Sequence, residues 1–122
     1  MGFGLVALAT GAVMIPAISS QAQTAPAASP AFNACRACHS VQPGGKSGLG
    51  PNLVGVVGRT AGTLAGFNYS PALKASKLKW DEKALDEYLA APTKKVPGSR
   101  MPISTPDPAK RAAIITYLKS VK

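Results

Sequence analysis

No charged residue occurs before Arg36, and acidic residues are scarce throughout, five against fourteen lysines and arginines. The net charge of +9 suits an anionic partner: a membrane surface, a nucleic acid or an acidic protein face. Nucleic acid is the weakest of these, because no basic helix or RNA-binding aromatic signature accompanies the charge. Histidine occurs once and cysteine twice. That scarcity excludes a structural zinc site, which needs four such ligands, and a metal held by two histidines of one chain. Strand-like alternation and internal repeats are also missing. With 122 residues, the chain is long enough for one small domain with a modest core.

Early in the chain there is instead an apolar run. Residues 2–18 are uncharged and rich in Leu, Val, Ala and Ile, which reads as the core of an export signal. Ser20-Gln21-Ala22 then offers small residues at the spacing used for cleavage. The expected organisation is a signal peptide or N-terminal anchor over residues 1–22, an Ala/Pro-rich linker over 23–30 and a folded domain over 31–122. If uncleaved, residues 2–18 would act as a membrane tether, at the lower limit of length for a spanning helix. Either outcome implies export to the periplasm, free or membrane-anchored.

Both cysteines and the histidine fall in one stretch, Cys35-Arg36-Ala37-Cys38-His39. Two thiols at this spacing can add to the two vinyl groups of one porphyrin, and the adjoining imidazole is then placed to coordinate the iron. C-x-x-C-H is the attachment pattern of a c-type haem. A dithiol redox site is the competing reading, but it wants a βαβ context and has no use for the histidine. The expected cofactor is one covalently attached haem c, which in so small a domain also fills part of the interior.

From Val41 through Gly66 there are eight glycines and two prolines, too many for a regular element, so a long loop is expected. Such a loop in a compact domain needs something to wrap. The carbonyl of Pro51 is well placed to accept the second N–H of His39 and set its tautomer. Helices should surround this loop. Phe32 should face inward from a short helix leading into the haem motif. Ser70-Pro71 should open a helix ending near Lys77, and Asp81 should cap one over Glu82 to Ala91 that Pro92 terminates. Asp107-Pro108 should open the last helix, running to about Val121 with Ile114, Tyr117, Leu118 and Val121 buried. The fold class is all-α, short helices and long loops enclosing one haem.

The sixth iron position has few candidates. Met1 and Met14 lie in the leader, which leaves Met101, in a loop stiffened by Pro97, Gly98 and Pro102. A thioether opposite an imidazole stabilises ferrous iron and gives a high-potential couple. With both axial positions filled, oxygen and peroxide have no place to bind. The expected function is therefore one-electron carriage and not catalysis. The alternative is a haem-based peroxidase or gas-ligand sensor in which Met101 is loosely held.

From Phe32 to about Leu118 the residues resemble class I cytochrome c of the bacterial and mitochondrial type. The resemblance rests on Cys35-x-x-Cys38-His39, Gly50-Pro51-Asn52-Leu53, Gly58-Arg59, Gly66-Phe67-Asn68-Tyr69-Ser70, Trp80, Tyr88-Leu89, Pro97-Gly98-Ser99-Arg100-Met101 and Tyr117-Leu118. It implies the cytochrome c fold, with helices at both chain ends crossing. It also implies thioethers at Cys35 and Cys38, axial ligands His39 and Met101, and Tyr88 near the Met101 sulfur. Arg59, Tyr69, Trp80 and Ser99 would lie around the propionates. The implied partners are acidic docking surfaces of redox proteins such as a bc1-type complex and a terminal oxidase or reaction centre. Lys46, Lys94, Lys95 and Arg100 are the basic residues expected to flank the exposed haem edge and steer such partners.

Overall fold

Each helix begins where the sequence supplies a proline, a capping oxygen or both. The computed structural model describes residues 1–4, 11–13 and 29–122. Within them a 3-10 helix spans Pro30–Ala37, followed by α1 Pro71–Ser76, α2 Glu82–Ala90, α3 Pro92–Lys95 and α4 Pro108–Ser120. The side chains of Ser29, Ser70, Asp81 and Asp107 accept from the N–H groups of Ala31, Leu73, Ala84 and Ala109. These bonds satisfy first-turn amides that the helix itself leaves unpaired. The signal or anchor and the cleavage site expected before residue 29 lie almost wholly outside the described residues. Among the described residues no helix is long and apolar enough to cross a membrane.

Two details differ from expectation. Pro92 ends α2 but also opens α3. The break falls at Ala91, whose φ of −156° and ψ of 83° are non-helical, and a proline just after such a break is preset for a new first turn. On α4, Val121 is only half-buried, while Ile115 joins Ile114, Tyr117 and Leu118 in the core. The reason is that α4 packs against two elements, the 3-10 helix and α2, so its apolar face is broader than a single seam.

The two chain ends meet at an aromatic pair. Phe32 is fully buried and its ring lies 4.8 Å from that of Tyr117 at an interplanar angle of 53°. From there the core runs through Ile114, Ile115 and Leu118 to Leu85, Tyr88, Leu89 and Trp80. Burial of an aliphatic or aromatic side chain of this kind contributes about 1.5–3 kcal/mol. The glycine-rich segment forms no helix or strand, and a single antiparallel bridge pairs Thr60 with Lys79.

That segment is nevertheless held in place. Gly58 N–H donates to Trp80 O, Trp80 N–H to Arg59 O and Ala61 N–H to Leu78 O, joining it to the residues that precede α2. Gly55 N–H donates to Val121 O just beyond α4. Inside the loop the buried Asn52 side chain donates to Gln42 O and Gly45 O and accepts from Val54 N–H. One amide thus bonds together a stretch that forms no backbone ladder of its own.

Candidate metal centre

His39 is positioned by its own turn and by the loop. Cys38 N–H and His39 N–H both donate to Cys35 O, which closes the C-x-x-C-H turn at the end of the 3-10 helix. His39 Nδ1 lies 2.8 Å from Pro51 O. A carbonyl can only accept, so Nδ1 carries the proton and Nε2 keeps its lone pair, the form of imidazole that binds a metal. Gly50 N–H donates to Cys38 O at 2.9 Å, drawing the loop backbone across the ring. A Cβ at Gly50 would sit 2.3 Å from His39 Cε1, so this approach requires glycine. Cys35 and Cys38 are half-buried. Burial pushes the Cys35 thiol above its ordinary value, and neighbouring Cys38 adds to the effect.

Met101 is half-buried and packs against the same apolar core as Cys35. Its loop is fastened to α2 by Tyr88, whose hydroxyl lies 2.5 Å from Ser99 Oγ. Burial raises the Tyr88 hydroxyl above its usual value, partly opposed by the bond to Ser99. Arg100 donates to Asn68 O at 3.3 Å, tying the loop to the central segment. Gly98 makes the turn at φ +91°, and a Cβ there would come within 2.9 Å of Ala72 Cβ. Trp80 packs against Tyr88 with ring centroids 4.9 Å apart and the planes tilted by 55°.

The other residues picked out in the sequence are partnered as follows. Arg59 donates to Val54 O and Asn52 O. The buried Tyr69 packs edge-on against Phe67 at 4.8 Å, and its hydroxyl accepts from Leu64 N–H. Among the described residues Arg59 and Tyr69 share no hydrogen bond. Lys95, expected to be free for docking, is instead half-buried and paired with Glu87. Three roles escaped sequence reasoning: Gly50 at the imidazole and Asn52 inside the loop, which the sequence showed only as members of the Gly50-Pro51-Asn52-Leu53 motif, and Arg111 beside the segment after Met101. A glycine directly before Pro51 was the available signal for the first, and a polar residue between Pro51 and Leu53 for the second.

The residues suit a c-type haem. Gly50 brings bare backbone against an imidazole whose Nδ1 is committed to Pro51 O, the Met101 sulfur and the Cys35 thiol border one apolar core, and Cys38 is half-buried in the same turn. That donor set matches iron with nitrogen and thioether ligation.

A family model described as Cytochrome c matches residues 24–122. The chain is 53% identical over 95 residues to cytochrome c2 iso-2 of Magnetospirillum fulvum, covering 77% of this chain and 98% of that one. It is 41% identical over 118 residues to cytochrome c2 of Blastochloris viridis, covering 96% of this chain and 89% of the relative. Among solved structures, cytochrome cH from Methylobacterium extorquens matches with a TM-score of 0.68 at 48% identity, over 73% of this chain and 90% of the other. Fold and motif together define a c-type haem protein, with one haem attached covalently through the Cys35 and Cys38 motif. The chain belongs to the cytochrome c family and has the cytochrome c fold.

Proposed function

We propose that this protein is a one-electron carrier that shuttles electrons between respiratory or photosynthetic redox complexes. The observation that carries the reading is the 2.8 Å contact between His39 Nδ1 and Pro51 O, because it leaves Nε2 unprotonated and able to bind a metal. A bound haem c supplies a one-electron iron couple, and histidine–methionine ligation sets it at high potential. Cys35 and Cys38 would tether the group, and His39 and Met101 would ligate its iron. Pro51 holds the tautomer of His39, while Tyr88 and Ser99 hold the Met101 loop. Arg59, Tyr69, Trp80 and Ser99 would border the propionates. Ligation by both His39 and Met101 would leave the iron no open position for catalysis. The competing reading as a peroxidase or gas-ligand sensor requires a loose Met101, and the bonds to Ser99 and Arg100 run against it.

The surface charge supports the choice of partner. All five carboxylates are engaged within the fold. Asp81 and Asp107 cap helices, and Glu82, Asp86 and Glu87 pair with Lys119, Arg111, Lys83 and Lys95. Lys46, Lys94 and Arg100 are exposed and, among the described residues, pair with no carboxylate. An acidic docking surface on a bc1-type complex, and on a terminal oxidase or reaction centre, fits that field. Export of a soluble carrier to the periplasm fits the apolar run and the small residues that follow it.

Replacing Met101 by Ala keeps the haem attached, as a pyridine haemochrome assay would read, and lowers the potential in a redox titration. An unchanged potential refutes the axial assignment. Reduction by an acidic partner slows as ionic strength rises, and a flat dependence removes the docking role of the basic face.

A further inference from the structure

We infer that Arg111 is a positioning residue for Met101, its guanidinium clamping the chain that leaves the Met101 loop onto α2. The inference rests on the axial reading of Met101 given above. The Arg111 side chain is only 12% exposed, and its Nε donates to Asp86 Oδ1 on α2 at 2.7 Å. Its Nη1 donates to Thr105 O at 3.0 Å and to Pro106 O at 2.7 Å. Thr105 in turn gives its N–H to Leu89 O at 2.7 Å. Shortly after Met101 the chain is therefore fastened to α2 and α4 together.

The other flank is held from the same turn of α2. Ser99, just before Met101, is bonded to Tyr88, the neighbour of Leu89. Among the described residues the one hydrogen bond of Met101 itself is a long 3.5 Å contact from its N–H to Ser99 Oγ. The flanks, not the bonds of Met101, fix where its sulfur sits.

Electrostatics argue that Arg111 is more than a surface cation. It stands in the first turn of α4, whose start is capped by Asp107, and a cation there faces the positive end of the helix dipole. Asp86 and the two carbonyl oxygens offset that cost. Their directions require a planar fork with donors on separate nitrogens, and a lysine ammonium cannot reach the carboxylate and both carbonyls together. Lys119, by contrast, lies in the last turn of α4, where the dipole favours a cation, and pairs with Glu82 away from the loop.

The test uses ferric holoprotein with imidazole as the probe, reading displacement of Met101 as loss of the far-red thioether-to-iron band. Exchange of the Thr105 amide with deuterium is the second readout. Arg111→Lys should bind imidazole on the order of tenfold more tightly, the equivalent of one charge-assisted hydrogen bond, and should exchange Thr105 faster. Lys119→Gln, which removes the other ion pair between α4 and α2, should stay at the wild-type values. If Arg111→Lys fails to fold, Asp86→Asn should shift both readouts in the same direction by less. Should Arg111→Lys bind imidazole no better than Lys119→Gln while Met101→Ala gains strongly, the positioning role is wrong and the axial reading stands. Should Met101→Ala gain nothing over wild type, the axial reading falls and this inference with it.

Discussion

Replacing Gly50 by Ala drives a methyl group into the imidazole of His39. The added Cβ would lie 2.3 Å from Cε1, 2.7 Å from Nδ1 and 2.8 Å from Nε2, where ordinary contact begins at 3.4 Å. The ring must retreat by about 1.1 Å, the gap between 2.3 and 3.4 Å, or the loop must back away. Backing away is opposed by the Gly50 N–H bond to Cys38 O, so the bond from His39 to Pro51 O is the one to break. Its loss costs about 1 kcal/mol, and the overpacking adds about 1–3 kcal/mol. In a domain near 100 residues each kcal/mol lowers the melting temperature by about 4–8 °C, so thermal melts of the holoprotein should fall by at least about 8 °C. The potential should also rise, because an imidazole without its carbonyl partner is a poorer donor to ferric iron. Gly55→Ala is the control. Gly55 has φ +70° with open space around it, so alanine there brings backbone strain of about 1–2 kcal/mol and no change in potential. A Gly50→Ala protein melting within about 4 °C of wild type, at the wild-type potential, would refute the argument.

Truncating Phe32 to Ala should cost about 3–5 kcal/mol by urea titration, since the ring is fully buried against Tyr117; a loss below about 1 kcal/mol would mean the two chain ends are not joined there. Glu87 supplies a pH dependence. Hydrogen bonds from Lys83 and then Lys95 hold its carboxyl at about 2, below its ordinary 4.5. Its folded pKa is depressed, so the stability it contributes is present above pH 4.5 and is lost as pH falls toward about 2. Denaturation of wild type and Glu87→Gln should show a gap that closes across that window. A gap that does not change with pH would contradict the assignment.

Local chemistry made much of the fold legible. The caps at Ser70, Asp81 and Asp107 and the prolines beside two of them mark helix starts because first-turn amides need acceptors from nearby side chains, whatever the rest of the chain does. The candidate site was legible in its donors, since C-x-x-C-H and a lone methionine in a proline-rich loop are local patterns. Its supports were not. Gly50 matters because a ring from an earlier turn lies against it, and Lys95 lost its expected docking role to Glu87 on the preceding helix. Such contacts join residues through space, and no spacing rule along the chain encodes them.

The sequence by itself determined which atoms are candidates to hold iron, where helices begin, and that a long glycine-rich stretch would be loop. Only the tertiary structure decided how those atoms are held. The choice of nitrogen on His39 depends on a carbonyl twelve residues away, and the flanks of Met101 depend on α2 and α4 meeting beside them. The physical reason is that covalent neighbours set conformational preference, whereas a hydrogen bond's direction and a methyl group's room exist only once distant segments have packed together.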